Sequence, residues 1–547
     1  MKKIIFSCLI STLFLSACIK TEKADLVVHN AKIYLLNTTF ETAEAMAIKD
    51  GKILETGPER QILNKYSAQK VYDAGKMVVY PGLIDAHCHL WNYAKSLNEI
   101  DLSHTNSEEE IYDLIQKYIE ENPDREWITG RGWDQNKWNP PTFPDNHILD
   151  SLFPGKKIVL TRIDGHAVWC SSNVLKLANI NSGTQVKGGQ ILMKNGKPTG
   201  ILIDNAMDKV TSLIPPLSDD EKKKLILKAQ EKLFEQGITS IADAGTEEDI
   251  LQLLKEMNSE GTLKIKVYSM IWISDSSQID KHISQMPYRD KNLHIRSFKL
   301  MADGALGSRG ACLLAPYSDS LNHYGTLIHS PVYIEKIARK IYNAGLQLNI
   351  HCIGDSANRV VLNVYGKILK QTNDFRWRIE HAQIVNEKDI SKFRDFTVIP
   401  SVQPTHAISD KNWAATRLGE RIKDAYRYQT LLNQNKIIAL GTDFPVEDIS
   451  PLKTFYAAVY RKNYDGSGQV FLPEEALSKK EALMGMTIWN AIADFEENEK
   501  GSLEPGKSAD FIVLDTDLME CEAEQVLKAH VIQTFVNGKS VFKRNQE

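Results

Sequence analysis

The sequence lacks the patterns that would place it in several familiar classes. It has no C-x-x-C pair and its seven cysteines are scattered over 547 residues, so it is not a disulfide scaffold. It has no G-x-S-x-G motif, so a serine hydrolase has no support. A net charge of −4 gives no general attraction to nucleic acid, which we do not expect as a partner. What remains is an ordinary globular composition, 42% hydrophobic, which is enough for a sizeable core.

The sequence also contains no long apolar run. It has one short apolar run, at the N-terminus. Lys2 and Lys3 precede apolar residues 4–15, a run that is too short to span a bilayer as a mature helix and is typical of a secretory signal. Leu15-Ser16-Ala17-Cys18 resembles a bacterial lipoprotein cleavage box, which implies a signal peptide over residues 1–18 and lipid on Cys18. The alternative is a plain signal peptide that ends near a cysteine by chance. We therefore expect an exported protein, lipid-anchored to a bacterial membrane and facing the periplasm or the exterior.

Both ends of the remaining chain have the character of short strands and turns. Residues 25–80 contain two β-rich runs, and Asp50-Gly51 is a hairpin signal. Residues 500–547 contain two further runs rich in Val, Ile and Phe. The sequence therefore predicts one small β-sandwich domain formed by both termini.

Between these ends, residues 81–499 alternate short apolar runs with stretches that have helical periodicity. Such alternation indicates a parallel sheet, and eight strands with charged residues and histidines just past their ends predict a (β/α)8 TIM-like barrel. About 150 residues separate the first two strands, where one helix and its loops need roughly 30, so we expect an inserted subdomain near residues 100–230. The strands are predicted to end at Ile84, Ala242, Met270, Met301, Ile350, Ile379, Ile399 and Leu440.

Histidines and one aspartate follow several of these predicted strands. His87 and His89 are two residues apart, so on a strand both imidazoles point to the same side and make half of a zinc-type site. His351, His381 and Asp443 each come after a later apolar run. A single histidine in such a place is more often a hydrogen-bonded core residue. Four histidines and one aspartate at successive strand ends predict a metal centre instead.

Lys299 is the sixth candidate, because it lies inside an apolar strand-like run. A lysine there loses its solvation unless it is paired or chemically altered. One interpretation is an ion pair with a carboxylate of the barrel. The other is a carbamate on the amine, which would turn the cation into an anionic ligand that bridges two metal ions.

These six residues resemble, in chain order, the ligand pattern of the binuclear amidohydrolases. The sequence segments around them resemble more narrowly the branch that contains the N-substituted formamide deformylases. The resemblance runs from about residue 25 to the C-terminus. These segments lie at residues 81–89, 130–138, 299–309, 351–358 and 441–447. The six residues that match the ligand pattern are His87, His89, Lys299, His351, His381 and Asp443.

The resemblance implies a small-molecule substrate and one or two ions of Zn²⁺ or another divalent metal per chain. Such an ion lowers the pKa of water to about 7 and polarises a carbonyl, so the expected reaction is hydrolysis by metal-activated hydroxide. The expected target is a C–N bond, other than a peptide bond, in an amide or N-acyl compound. Asp443 is the candidate general base, which passes a proton from the water to the leaving amine. The oligomeric state stays open, a homo-oligomer included.

Three other functions compete with this one. Many deaminases and cyclic-amide hydrolases use the same barrel, but many of the deaminases have a glutamate three residues after the fifth-strand histidine. In this sequence Cys, Ile, Gly and Asp355 follow His351, so that proton shuttle is absent. A non-catalytic lipoprotein that binds a small molecule would be indicated by a lost ligand, and all six are present.

Five further residues are candidates for contacts with the substrate. Trp133, Trp138, Arg162 and His166 cluster in the predicted insertion, and the sequence leaves open whether they are pocket walls or structural residues. Arg309 is expected either to polarise a carbonyl or hold a carboxylate, or to form an ion pair with Asp303 or Asp319.

Overall fold

The computed structural model describes residues 22–163, 165, 167–186, 189–273 and 275–545. The expected signal peptide, its lipidation site Cys18 and the candidate His166 lie outside these residues. No helix in these described ranges is long and apolar enough to cross a bilayer. The described residues form two compact units, one of His89–Gln230 and the other of the chain before and after it.

The larger unit contains a nearly closed barrel of eight parallel strands. Most residues of these strands are buried, as expected for parallel strands that are covered on both faces. Their order around the barrel follows the chain, and a short strand, Tyr288–Asp290, pairs antiparallel with the fourth. The eight barrel strands are Leu83–Cys88, Ile238–Thr246, Lys266–Trp272, Leu293–Met301, Gln347–Cys352, Arg378–His381, Ile399–Val402 and Ala439–Leu440. The predicted barrel is therefore confirmed.

The barrel closes where the segment after the eighth strand lies against the first strand. Asp443 N donates to His87 O at 2.8 Å, and the Thr442 hydroxyl donates to the Asp85 carboxylate at 2.7 Å. A Cβ atom at Gly441 would lie 2.6 Å from His87 N, so this close approach requires glycine. Closure therefore places Asp443 beside His87.

Helices connect the barrel strands, and capping residues set their ends. Ser330 accepts a hydrogen bond from Tyr333 N at the start of Pro331–Asn343, and Gly261, with φ of 75°, ends Glu248–Glu260. The other helices after the insertion are Ser276–Ile283, Asp355–Leu369, Glu387–Asp395, Pro404–Asp410, Ala414–Leu418, Tyr428–Asn435, Pro451–Tyr460, Lys479–Gly485, Ile488–Ala493 and Ala523–Val526, with 3-10 turns at Gly419–Asp424 and Pro473–Glu475.

Both ends of the chain contribute to a domain of two β-sheets. Asp50 and Gly51, both with positive φ, form the two-residue turn between Ala45–Lys49 and Lys52–Gly57, as the hairpin signal predicts. One sheet has the order Lys52–Gly57, Ala45–Lys49, Glu22–His29 and Tyr66–Asp73. The other has the order Lys539–Lys543, Val531–Val536, Phe511–Leu514, Val78–Pro81, Lys32–Tyr34 and Thr42–Ala43. A shared apolar core joins the sheets, and the helices Glu59–Lys65 and Ala523–Val526 lie in the connections between these strands.

The unit His89–Gln230 spans the interval in which the sequence predicts an insertion. Its sheet has the order Gly189–Lys194, Lys197–Asp204, Ala167–Cys170, Lys157–Arg162, Trp127–Trp133 and Ile100–Asp101. Its helices are Leu90–Ser96, Glu108–Glu121, His147–Leu152, Ser172–Leu177 and Asp208–Thr211, with a 3-10 turn at Gln135–Lys137. The helix Asp219–Glu235 begins in this unit and ends in the barrel unit.

Candidate metal centre

Two groups of metal-ligating side chains meet at Asp443. His87, His89 and Asp443 form the first group, and His381, His406 and Asp443 form the second. In each group the ligand atoms all lie within 4.8 Å of one another. Four of the six predicted ligand residues therefore belong to these groups, together with a histidine that the sequence analysis did not single out.

A buried carboxylate holds the first histidine in place. Glu380 Oε2 lies 2.5 Å from His87 Nδ1, and both side chains are fully buried. Arg378 donates from Nε to Glu380 Oε1 at 2.7 Å. Burial alone would raise the pKa of Glu380, but Arg378 and His87 hold that pKa well below its usual range. The ionised Glu380 fixes the ring so that His87 Nε2 faces Asp443 Oδ1 at 3.5 Å.

His381 is oriented by the segment that follows the next strand. Its Nδ1 lies 2.7 Å from Gln403 Oε1, which leaves Nε2 available to a metal. Its φ is 72°, and that of Asp443 is 64°, both in the left-handed region that non-glycine residues rarely adopt. Strained conformations of this kind cluster at functional sites.

Lys299 and His351 lie next to these groups. Lys299 is 2% exposed, and its amine nitrogen is 3.4 Å from His87 Nε2. Burial lowers the pKa of Lys299. The His351 ring is 4.5 Å from the His381 ring, and its Nε2 is 3.7 Å from Asp303 Oδ1. The structure thus brings all six predicted ligand residues into one cluster.

The chemistry of this cluster fits a divalent metal ion. Burial lowers the pKa of His87 to about 4 and that of His351 to about 3, so both imidazoles are neutral, as metal ligation requires. Within the described chain, Nε2 of His351 and Nε2 of His406 are buried and have no hydrogen-bond partner. Buried polar atoms usually have partners, and a metal ion would supply one here. Neutral imidazole and carboxylate are the ligand types that zinc binds.

Of the two alternatives that the sequence left open for the tryptophans of the insertion, the structure favours the structural one. Trp133 is 0% and Trp138 is 6% exposed, and both lie in the core of the unit His89–Gln230. The Trp133 indole donates to Leu160 O at 2.8 Å, so it is a satisfied core residue. Arg162 pairs with Asp134 at 2.8 Å in the same unit.

Arg309 adopts one of the two alternatives that the sequence left open. Its guanidinium donates to Asp319 at 2.8 Å, and its side chain is 36% exposed. Arg417 contacts the same carboxylate. Arg309 therefore forms the ion pair with Asp319 that was one of the two alternatives.

Sequence reasoning missed four residues of the cluster: Arg378, Glu380, Gln403 and His406. Arg378 and Glu380 are oppositely charged residues two apart in the strand Arg378–His381, so their side chains point to the same face, and this spacing is a signal for an ion pair. His406 follows the seventh barrel strand, which, like the second and the third, was given no predicted ligand. Gln403, directly after that strand, has no pattern that distinguishes it.

The chain is similar to known proteins over most of its length. The profile of the Amidohydrolase family matches residues 70–542. Protein LONG AFTER FAR-RED 3 of Arabidopsis thaliana is 32% identical over 540 residues, 95% of this chain and 92% of that protein. The N-substituted formamide deformylase of Arthrobacter pascens is 25% identical over 96% of this chain and 99% of its own.

One solved structure is also similar to this chain. An uncharacterized metal-dependent hydrolase from Pyrococcus furiosus has a TM-score of 0.75 and 27% identity, over 90% of this chain and 100% of its own. The family profile covers most of the present chain. With a buried cluster of histidines and Asp443 at its barrel, this chain belongs to the amidohydrolase family.

Proposed function

We propose that this protein hydrolyses the C–N bond of an amide or N-acyl compound, with N-substituted formamides as the first substrate class to test. The position of Asp443 is the observation that carries this proposal. Asp443 is 5% exposed, and its carboxylate lies between the histidine pairs His87–His89 and His381–His406. The name of the relative from Arthrobacter pascens supports the choice of formamides.

The residues of the site have separate roles in this reaction. A divalent ion held by His87, His89 and Asp443 would lower the pKa of water and polarise the carbonyl of the substrate. Asp443 takes a proton from the attacking water while the oxygen of that water bonds to the carbonyl carbon of the substrate. The C–N bond breaks, and Asp443 gives the proton to the leaving nitrogen, so that a carboxylic acid and an amine are formed. Glu380 keeps His87 oriented throughout.

Deamination on the same barrel is less well supported. The carboxylate closest in sequence after His351 is Asp355, and its Oδ1 accepts a hydrogen bond from Leu314 N at 2.8 Å. Asp355 is 4% exposed and begins the helix Asp355–Leu369. It therefore anchors a loop and does not replace the missing glutamate shuttle.

A substrate panel tests the proposal. The purified protein, loaded with Zn²⁺, is incubated with N-substituted formamides, N-acyl amines, N-acyl amino acids and cyclic amides, and the amine released is measured. We expect turnover of at least one acyclic class, its loss after treatment with a chelator, and its return with Zn²⁺. Release of ammonia from aminated heterocycles, with no amine from any amide, would contradict the proposal.

We also propose that Lys299 is carbamylated. The neutral amine would attack the carbon of CO₂, forming an N–C bond and releasing one proton, which gives an anionic oxygen ligand beside His87. Two observations support this: Lys299 is 2% exposed, and its nitrogen is 3.4 Å from His87 Nε2. The alternative is a buried ion pair with Glu380 or Asp443, whose charges act on Lys299.

Incubation with ¹³C-bicarbonate separates these alternatives. We expect one ¹³C carbamate resonance per chain, and its absence in Lys299→Met. Lys266→Met is the matched control, because Lys266 also lies in a barrel strand but pairs with Asp510 and should not react. A folded wild-type protein without the resonance would favour the ion pair.

A further inference from the structure

A cleft with an aromatic wall lies at the carboxyl ends of the second and third barrel strands. Its volume is about 660 Å³, within the range of small-molecule sites, and it is lined by Glu247, Glu248, Asp249, Gln252, Trp272 and Gln278. We infer that the substituent of the substrate stacks on Trp272, and that the neighbouring carboxylates exclude substituents with a negative charge. The inference rests on the proposed function and narrows its substrate class to amides with a flat, uncharged substituent.

Trp272 lies beside the metal centre in the strand register. It is the last residue of the third strand and the register partner of Lys299 on the fourth, and Ile273 N donates to Lys299 O at 3.0 Å. Register partners on adjacent parallel strands lie about 4.8 Å apart and point to the same face of the sheet. The Lys299 amine is 3.4 Å from His87 Nε2, so the indole lies on the same side of the barrel wall as the metal centre.

A glycine lets the indole pack against the second strand. A Cβ atom on Gly245 would lie 3.2 Å from Cε3 of Trp272, and the φ of Gly245 is 127°, a conformation that favours glycine. Trp272 is nevertheless only partly buried. The ring therefore gives the cleft a flat apolar surface whose position is set by the strand beneath it.

The other side of the barrel rim is fastened by hydrogen bonds. Arg417, after the seventh strand, contacts Asp319 and donates to Gly307 O at 3.2 Å, and both of these residues follow the fourth strand. Asp303 accepts a hydrogen bond from Gly354 N at 2.8 Å, which joins the segments after the fourth and fifth strands. A substituent that extends from the metal centre therefore has room at the second and third strands.

Carboxylates set the charge of the cleft. Glu247, Glu248 and Asp249 are exposed at the start of the helix Glu248–Glu260 and offset the positive end of that helix, which would otherwise attract an anion. Glu248 is partly balanced by Lys281 at 3.0 Å and His282 at 2.7 Å. Among the described lining residues there is no lysine or arginine. A carboxylate on the substituent would therefore meet like charges.

Four matched formamides test the inference on the Zn²⁺-loaded, full-length protein. We expect kcat/KM for N-formylphenethylamine to exceed that for its cyclohexyl analogue by about 3–10-fold, the contribution of one aromatic pair. N-formylphenylalaninamide should exceed N-formylphenylalanine, which has a carboxylate in place of the neutral carboxamide, by at least about tenfold.

Variants assign these two preferences to residues. Trp272→Leu should remove the preference for the phenyl ring, and Trp272→Phe should keep it. Glu247→Gln/Asp249→Asn should weaken the discrimination against the carboxylate. Trp127→Leu is the matched control, because it removes a partly exposed tryptophan from the sheet of the insertion, and it should change neither ratio.

Binding to chelator-treated protein gives a readout without turnover. Calorimetry should show that Trp272→Leu weakens binding of N-formylphenethylamine about 3–10-fold and leaves the cyclohexyl analogue unchanged. Equal kcat/KM for the two rings in the wild type, equal losses for both in Trp272→Leu, or a preference for N-formylphenylalanine would overturn the inference and leave the proposed function intact. Ring-selective binding with no amine released by the loaded protein would support the cleft but remove the proposed function.

Discussion

Replacing His87 and His89 together by alanine is expected to remove one bound ion and to lower turnover by about 10³-fold or more. Both imidazoles belong to one three-residue group, so only the Asp443 carboxylate would remain at that position. A catalytic metal contributes several kcal/mol of transition-state stabilisation, and about 4 kcal/mol corresponds to about 10³-fold. Elemental analysis and amine release on the same preparation measure both effects.

The matched control is His147→Ala/His530→Ala, which removes two exposed histidines. It should keep the metal content and the turnover of the wild type. Because His87 also contacts Glu380, the circular dichroism spectrum and the melting temperature of the double variant must be compared with those of the wild type. A folded His87→Ala/His89→Ala protein with full metal content and full turnover would end the metal-centre interpretation.

The barrel was predictable because its strands carry their own signal. Parallel strands are covered on both faces, and nearly every residue of Ile238–Thr246 and of Gln347–Cys352 is buried, although polar residues interrupt the apolar ones in both. All eight runs overlap strands in the predicted order, although six of the strands end two to four residues later than predicted. The turn at Asp50-Gly51 was predictable for a different reason, since two residues with positive φ are needed there.

The ligand residues were predictable only in part, because strand parity has exceptions at this site. Parity places Arg378 and Glu380 on one face of the sixth strand and His381 on the other. The observed φ of 72° at His381 breaks the strand geometry, so Glu380 and His381 both reach the cluster. A left-handed histidine has no signature in the sequence, and the role of Glu380 was therefore missed.

Burial inside the insertion could not be derived from residue types. Trp133, Trp138 and Arg162 are equally suited to a pocket wall and to a core, and the outcome depends on which face of the sheet packs inward. The structure packs both tryptophans into the core around Trp169, 6.3 and 6.5 Å away between ring centroids. Arg162 pairs with Asp134 in the same unit.

Arg378→Ala is expected to lower the free energy of unfolding by about 3–5 kcal/mol, because it leaves buried carboxylates without their counter-charge. Arg378 is fully buried and donates to Glu380 at 2.7 Å and to Asp494 at 3.1 Å, both of which are also fully buried. It also donates to Ala86 O on the first strand and to Ser401 Oγ on the seventh. One guanidinium thus connects three strands beside the metal centre.

Urea unfolding followed by circular dichroism measures this loss, with Arg339→Ala as the matched control. Arg339 forms a helical ion pair with Glu335 at 2.6 Å, but its side chain is 54% exposed, so its removal should cost at most about 1 kcal/mol. The loss of unfolding free energy in Arg378→Lys should lie between the losses in the two alanine variants. An ammonium keeps the charge but lacks the planar guanidinium that donates to several acceptors at once. If Arg378→Ala costs no more than Arg339→Ala, Glu380 does not depend on Arg378 for its charge, and the orientation of His87 must have another source.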